Sequence, residues 1–280
     1  ARRRGDHKSN MSAAPLARDD PPSQATQPAL LRVSRLSVRF GGIVALDGVS
    51  FEVRRGEIAG LIGPNGAGKT TLFNCLSRLY DWQQGSIEFN GQPLASVPRH
   101  RIAALGIGRT FQNLALFRSM SVRDNAMVGA HCRSRGGFFA NALRLPVTRR
   151  EEPLVEKRVD ALIGLLGLDD VAGVTVADLP FGVQKRVELA RALAAQPSLL
   201  LLDEPAAGLN HQEVEALMEL IRRIHAELSL TILLVEHHMN LVMRVSDRVV
   251  VLDFGRKIAD GVPSAVQRDP EVIRAYLGED

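Results

Sequence analysis

The sequence predicts an α/β fold: a core of parallel strands with helices, an N-terminal antiparallel β subdomain and an inserted helical subdomain. Short apolar runs at 58–62, 199–202 and 230–235 are separated by segments of helical spacing, which is typical of a parallel sheet. Alternating apolar residues between 30 and 53 indicate strands ahead of that core. The stretch 114–178 instead carries several helix-like patterns, which indicates an insertion.

The composition of the 280-residue chain, with 45% hydrophobic and 24% charged residues, is typical of a globular protein with one sizeable core. No run approaches the length of about 18 apolar residues that a transmembrane helix needs. The net charge of +4 is too small to indicate nucleic-acid binding. Cys75 and Cys132 lie far apart without metal-binding spacing, so we expect inert thiols and no disulfide framework.

The domain organisation follows from changes in composition along the chain. Residues 1–28 are rich in Pro, Ser, Ala and charge, so we expect a disordered tail ahead of one domain at 29–280. Within that domain, the helical subdomain is expected at about 113–180. A basic stretch with paired aromatic residues, at 133–140 and 148–150, is either a surface loop or a docking surface for a partner.

Residues 63–71 match the phosphate-binding pattern G-x-x-x-x-G-K-[ST], between the apolar run 58–62 and a helix-like segment. Glycines let backbone N–H groups face inward, and the positive end of the following helix completes a cradle for phosphate oxygens. We predict that Lys69 reaches the β- and γ-phosphates of a nucleoside triphosphate and that the Thr70 hydroxyl ligates Mg²⁺. The core is therefore predicted to be that of a P-loop NTPase. The predicted phosphate-binding residues are Gly63, Pro64, Asn65, Gly66, Ala67, Gly68, Lys69, Thr70 and Thr71.

Two further strands of the predicted core end in reactive side chains: Asp203 and Glu204 follow the run 199–202, and His237 follows 230–235. Ligands of an open α/β sheet lie beyond the carboxyl ends of its strands, so these groups should converge on the phosphate site. Asp203 is suited to hold Mg²⁺ directly or through water. Glu204 is suited to polarise the attacking water as a general base. His237 is predicted to contact the γ-phosphate or to orient Glu204 and the water.

The N-terminal strands raise one further question, the role of Phe40, which precedes the Gly41-Gly42 turn. An aromatic ring there could stack on a nucleotide base. Its position alone favours a phenylalanine of the hydrophobic core. The segment 85–91 is predicted to add a short strand to the same sheet and to end in an Asn-Gly turn.

The order of these motifs resembles that of the nucleotide-binding subunits of ABC transporters, and the resemblance covers about residues 30–278. The motifs are Phe40, the P-loop, Gln112, 179–184, Asp203-Glu204, 208–210 and His237. Further segments are similar to the ATPase subunits of bacterial importers for branched-chain amino acids. They are 202–210, 235–239, 251–261, 275–278 and the long insertion between 112 and 179. A GTPase would carry Asn-Lys-x-Asp, which this chain lacks.

The resemblance implies a peripheral ATPase on the cytoplasmic face of the inner membrane that uses ATP and Mg²⁺ to power import of branched-chain or related amino acids. Phe40 would stack on adenine, and Gln112 would sense the γ-phosphate through Mg²⁺ and water. Two copies, or this chain and a second ABC ATPase, would pair head to tail, each offering its signature segment to the other's ATP. The residues acting in trans would be Pro180, Phe181, Gly182 and Gln184.

The implied partners are two transmembrane permease subunits, which would dock beside Gln112, and indirectly an extracytoplasmic substrate-binding protein; no nucleic acid is expected. Two positions depart from the family pattern. The common signature is Leu-Ser-Gly-Gly-Gln, and Pro180 lacks the hydroxyl that would contact the partner's γ-phosphate. Proline nevertheless suits the first turn of a helix, whose N-terminus still directs N–H groups at an anion. Asn210 stands where many relatives have aspartate, which removes a charge.

Two alternative functions remain open on the sequence alone. A soluble ABC ATPase acting on nucleic acid or ribosomes usually has two cassettes or a long coiled-coil insertion, whereas this chain has one cassette and no sustained heptads. The ATPase of a lipid or lipopolysaccharide export machine looks similar but typically lacks so long an insertion. The substrate itself would be selected by the membrane and binding subunits.

Overall fold

The computed structural model describes residues 29–111, 114–130, 146–237 and 239–277. The strands are β1 (Ala29–Phe40), β2 (Ile43–Arg54), β3 (Ile58–Ile62), β4 (Gln84–Phe89), β5 (Gln92–Pro93), β6 (Ile107–Arg109), β7 (Leu199–Asp203), β8 (Thr231–Val235), β9 (Arg248–Asp253) and β10 (Arg256–Gly261). The helices are α1 (Lys69–Leu76), α2 (Ile102–Leu105), α3 (Val122–Ala130), α4 (Pro146–Leu165), α5 (Phe181–Ala194), α6 (His211–Leu228), α7 (Met239–Val245), α8 (Pro263–Val266) and α9 (Pro270–Leu277).

The larger sheet confirms the predicted α/β core. Its order is β10-β9-β3-β8-β7-β6, with β9, β3, β8, β7 and β6 parallel and β10 antiparallel at one edge. Every residue of β3, β7 and β8 is buried, which explains why these strands are continuous apolar runs rather than alternating ones. Because the pairing is parallel, the carboxyl ends of these three strands all point to the same side of the sheet, where the loops that follow them lie together.

The smaller sheet confirms the predicted antiparallel N-terminal unit. Its order is β2-β1-β4-β5, so the strand predicted within 85–91 does pair with β1. Gly85 lies at φ +86° where a Cβ atom would come 2.3 Å from the carbonyl oxygen of Arg35. Only glycine can therefore bring β4 this close to β1.

The hydrophobic core has two parts, one on each face of the larger sheet. Ile58 and Ile62 of β3 face a cluster formed with helices α3 to α7. Ala59 and Leu61 face a second cluster that contains α1 and the smaller sheet. Helix α1 is thus packed between two sheets, which fixes the start of the helix, and the P-loop before it, relative to the core.

Helices α3 and α4 lie within the stretch expected to form a helical subdomain. Val159 and Ile163 of α4 are buried in the same cluster as Val187 and Ala190 of α5. Residues 148–150 lie inside α4, so the surface-loop interpretation is wrong for that part of the basic stretch. Arginine is a good helix former, and the helix continues through these positions.

Several predicted features fall outside the described residues: the tail 1–28, Gln112, Cys132 and the stretch 133–140. Cys75 is buried, and burial raises its pKa to about 12, with Asp81 adding to the rise and Arg78 opposing it. In the part of the chain that the structure describes, no helix has the length and apolarity to cross a membrane.

Candidate nucleotide-binding site

The P-loop connects β3 to α1 in a backbone conformation that requires glycine. Gly63, Gly66 and Gly68 have φ values of +154°, +83° and +98°. A Cβ atom on Gly63 would lie 2.1 Å from the carbonyl oxygen of Leu252, and one on Gly68 would lie 2.5 Å from that of Ala45. The loop is therefore held against β9 and β2 by backbone contacts that only glycine allows.

Lys69 folds back over the P-loop with its side chain nearly buried. Its Nζ donates to the carbonyl oxygens of Gly63 at 2.7 Å and Pro64 at 2.9 Å. Burial lowers the pKa of Lys69, while the negative charge of Glu204 acts in the opposite direction. Charged phosphate oxygens are stronger acceptors than these two neutral carbonyl oxygens, so the ammonium group is poised to exchange one kind of partner for the other.

Asp203 ends β7 and is paired with Arg109, a residue that the sequence analysis missed. Arg109 Nη2 lies 2.8 Å from Asp203 Oδ2, and the side chains are only 9% and 7% exposed. Arg109 Nη1 also donates to Asn74 Oδ1 and Ser77 Oγ, both at 2.9 Å, so it ties β7 to α1. A single basic residue at the end of the short apolar strand 107–109 was the available signal.

The oxygen atoms available beside the P-loop and at the end of β7 are suitable ligands for Mg²⁺. The Asp203 carboxylate and the exposed Thr70, at the start of α1, supply oxygen ligands of the kind that hard cations prefer. Mg²⁺ in such sites is held by one or two protein groups together with substrate phosphates, so a larger carboxylate cluster is not required.

Glu204 and His237 meet beyond the ends of β7 and β8, as the sequence analysis expected. His237 Nδ1 lies 3.9 Å from Glu204 Oε2. The Glu204 N–H donates to the carbonyl oxygen of Val235 at 2.9 Å. The φ angle of Glu204 is +46°, which is unusual for a residue with a side chain. Backbone strain of this kind concentrates at functional sites and persists only where the surrounding structure enforces it.

Glu236 is a second residue that the sequence analysis did not select. Its carboxylate is completely buried and accepts N–H groups from Ala206 at 2.7 Å and His237 at 3.1 Å. His237 Nδ1 also lies 3.7 Å from Glu236 Oε2. The imidazole is therefore placed beside two carboxylates, one buried and one partly exposed.

Phe40 is 47% exposed, so the interpretation as a core phenylalanine is wrong. It is the last residue of β1, beyond the part of the smaller sheet that packs on α1. Tyr80 meets it edge to face, with ring centroids 5.3 Å apart and an interplanar angle of 71°. The exposed ring can offer a face to a nucleotide base.

The signature segment contacts the loop that follows Glu204 rather than the P-loop of its own chain. Pro180 is the N-cap of α5, one position before the helix proper, and Gln184 Nε2 donates to the carbonyl oxygen of Leu179 at 2.8 Å. Phe181 packs against Gly208, where φ is +81° and a Cβ atom would lie 3.0 Å from the ring. A Cβ atom on Gly182 would likewise lie 2.7 Å from Glu213 Oε1.

Asn210 is used within its own chain as the N-cap of α6. Its side chain accepts the Glu213 N–H at 3.0 Å, and the Glu213 carboxylate accepts the Asn210 N–H at 2.9 Å. This capping box anchors the far end of the loop that begins at Glu204. An amide side chain performs the capping role as well as an aspartate would.

The C-terminal helix α9 reaches back to the start of the P-loop. Burial raises the pKa of Tyr276 to about 12, while a hydrogen bond from the Gly63 N–H acts in the opposite direction. The end of the chain is thereby connected to the phosphate cradle.

The arrangement of P-loop, Asp203, Glu204 and His237 is that of an ATP-binding cassette. Residues 46–207 match the family model described as ABC transporter, and residues 256–280 match the one described as branched-chain amino acid ATP-binding cassette transporter. Because the first match covers more than half of the chain, the chain belongs to the ABC transporter family. ATP hydrolysis coupled to transport is the activity of that family.

Two named relatives are ATP-binding proteins of branched-chain amino acid transport. The chain is 44% identical over 250 residues to the high-affinity branched-chain amino acid transport ATP-binding protein LivG of Salmonella typhimurium, covering 89% of this chain and 98% of LivG. It is 41% identical to BraF of Pseudomonas aeruginosa, which carries the same description, over the same shares of each chain. A crystal structure of an ATP-binding cassette of an ABC transporter in its ADP conformation superposes with a TM-score of 0.78 at 28% identity, covering 90% of this chain and all of that one.

Proposed function

We propose that this chain is the ATP-hydrolysing subunit of an importer for branched-chain or related amino acids. The observation that carries the proposal is the convergence of the P-loop, Asp203, Glu204 and His237 at one sheet edge, in a chain 44% identical to LivG along 89% of its length. The match of residues 256–280 to a branched-chain amino acid transporter model supports the cargo class. Its place would be the cytoplasmic face of the inner membrane, as a peripheral subunit.

The residues of the P-loop bind and orient ATP in this proposal. Phe40 stacks on adenine, the backbone of 63–71 surrounds the phosphates, and Lys69 gives up its carbonyl partners to contact the β- and γ-phosphates. Mg²⁺, when bound, supplies positive charge beside those phosphates. Thr70, Asp203 and Gln112 would hold the ion, while Arg109 keeps one oxygen of Asp203 fixed.

Glu204 and His237 then act on water and on the γ-phosphate. The Glu204 carboxylate orients the attacking water and accepts its proton, a contribution of roughly 10²–10⁴ in rate for a well-placed general base. His237 has a half-exposed side chain 3.9 Å from Glu204, so it can contact the γ-phosphate and the water together.

The second half of each site comes from a partner copy or a second ABC ATPase. Pro180, Phe181, Gly182 and Gln184 of one chain face the ATP of the other, and the N–H groups at the start of α5 take over from the missing serine hydroxyl. ATP must bind the closed dimer better than the open one, since a ligand without that preference shifts no equilibrium. Two permease subunits and a substrate-binding protein complete the importer.

The substitution Glu204→Gln tests the assignment of the general base. We expect ATP affinity close to that of the wild type, a fall of at least about 100-fold in turnover, and accumulation of dimer with ATP. Turnover is measured by phosphate release, and the dimer by sedimentation velocity. The matched control is Glu57→Gln, because Glu57 directly precedes β3 and so lies at the end of that strand away from the P-loop. This variant should leave ATP affinity, turnover and dimer formation unchanged. Near wild-type turnover in Glu204→Gln would show that Glu204 is not the base.

The partner assignment is tested by purification from membranes of cells that express the tagged chain. Two multispan membrane proteins should co-purify, and ATP-dependent leucine uptake into vesicles should require Glu204. Bound RNA in place of membrane proteins would contradict the importer function.

A further inference from the structure

Glu236 is a charged residue whose position the proposed hydrolysis does not explain. It follows β8 directly, precedes His237, and has no exposed surface. Removing a carboxylate from water costs several kcal/mol unless its oxygens receive hydrogen bonds or a counter-charge. The hydrogen bonds of Glu236 therefore offset the cost of its burial, and the residues that donate them indicate what the side chain holds in place.

The two carboxylate oxygens are divided between two loops. Oε1 accepts the Ala206 N–H at 2.7 Å, and Oε2 accepts the His237 N–H at 3.1 Å. Ala206 belongs to the loop 204–210, which begins with Glu204 and ends at the N-cap of α6. One side chain therefore spans from the loop after β7 to the residue after β8.

We propose that Glu236 is a positioning residue that holds loop 204–210 and His237 in one fixed arrangement, so that Glu204 and His237 face the same water. The inference rests on the proposed function of those two residues. At one end of the loop, the Glu204 N–H is bonded to Val235. At the other end, the capping box holds Asn210. Glu236 supplies the bond in between, at Ala206.

The chemistry of the position explains why glutamate is suited to it. A carboxylate has two acceptor oxygens and no donor when ionised, so it can receive two N–H groups from different directions. Glutamine has one acceptor oxygen and would turn an NH₂ group toward one of the two N–H donors. Glutamine therefore keeps the shape of the side chain and loses one of the two bonds.

The same loop also faces the signature segment, which extends the consequence beyond Glu204. Gly208 of the loop lies under the ring of Phe181, and Glu213 after the loop lies against Gly182. If Ala206 is released, the part of the loop that packs on the start of α5 is released with it. Both hydrolysis and the surface offered to a second copy should then change.

The test is Glu236→Gln in the full chain, with Glu57→Gln as the control for replacing a glutamate that accepts a backbone N–H elsewhere in the fold. We expect kcat for ATP to fall about tenfold or more, as loss of one charge-assisted hydrogen bond predicts. KM for ATP and the affinity for a fluorescent ATP analogue should stay within about twofold, because the Glu236 oxygens accept the N–H groups of Ala206 and His237. The control should keep both constants.

A second measurement tests whether the hold of Glu236 on loop 204–210 supports dimer formation. With ATP present, Glu204→Gln/Glu236→Gln should form less dimer than Glu204→Gln alone in sedimentation velocity. Failure of Glu204→Gln alone to slow turnover contradicts the proposed function, whereas full turnover in a folded Glu236→Gln contradicts only the present inference. Parallel losses of kcat, ATP affinity and melting temperature would also overturn it, because they indicate a general structural role.

Glu236→Asp covers the case in which the glutamine variant does not fold. It keeps the charge but is one methylene shorter, so it cannot reach both N–H groups, and kcat should again fall while ATP affinity is retained. If neither variant folds, Glu236 supports the fold rather than the hydrolytic loop, and the inference is wrong.

Discussion

Arg109 and Asp203 show at the scale of single residues what the sequence could and could not reveal. Asp203 was predicted because an acidic residue at the end of an apolar run is visible in the sequence. Its partner was not, because Arg109 reaches it only through the pairing of β6 with β7, two strands that are 90 or more residues apart in the chain. Phe40 was misjudged for a related reason, since exposure at a strand end depends on where the neighbouring sheet stops.

The ion pair gives a stability prediction. Arg109→Met should destabilise the fold by about 3–5 kcal/mol, because it leaves the buried Asp203 carboxylate without its counter-charge. Arg32→Met, which breaks the solvent-exposed pair with Glu52, should leave the stability almost unchanged. Urea unfolding of both variants checks the difference, and Arg109→Met/Asp203→Asn should recover part of the loss. Equal costs for the two single variants would contradict the assignment.

At the scale of elements, the apolar runs of the sequence predicted three strands of the larger sheet, β3, β7 and β8. Val187 and Ala190 of α5 and Ile221 of α6 are fully buried, which is the pattern of amphipathic helices packed on a core. Leu228, at the end of α6, is 43% exposed, because the helix ends there and Ser229 turns into the left-handed region. Periodicity identifies a face but does not say where the neighbour that covers it ends.

Helix α5 carries a buried glutamate that connects it to the segment before Gln112. Glu188 Oε1 accepts the Phe111 N–H at 2.9 Å. Burial raises the pKa of Glu188, and the Phe111 hydrogen bond and the charges of Lys185 and Arg191 only partly oppose the rise. The folded protein therefore holds the proton of this carboxyl group more tightly than the unfolded chain does.

This shift predicts how stability depends on pH. Because the folded-state pKa is raised, the stability contributed by Glu188 is fully present below its unfolded pKa and is lost as the pH rises through the folded pKa. Glu188→Gln cannot ionise and keeps an oxygen for the Phe111 N–H. Its melting temperature relative to wild type should therefore increase from acid to neutral pH. The exposed Glu219→Gln is the control, and a difference that is constant with pH would contradict the prediction.

At the scale of the whole molecule, the sequence predicted several groups that the fold brings together, but not how they are held. Motif spacing placed the P-loop, Glu204 and His237 at strand ends, and parallel pairing brought them together. The supports come from distant parts of the chain: Glu236 on Ala206, Phe181 on Gly208, and Tyr276 beside Gly63. Such contacts leave no periodic pattern in the sequence, since each joins residues from distant parts of the chain.

Because α1 packs between the two sheets, we expect a nucleotide bound at the start of this helix to stabilise the whole fold. A ligand held by the P-loop at about 100 times its Kd stabilises the folded state by about 2.7 kcal/mol. For a domain of this size that corresponds to a rise of about 5–10 °C in melting temperature. Lys69→Ala should lose this ATP-dependent rise, because the ammonium group that contacts the phosphates is gone. Lys157→Ala, an exposed lysine on α4, should retain it in thermal shift measurements. An unchanged rise in Lys69→Ala would show that ATP is not held by this loop.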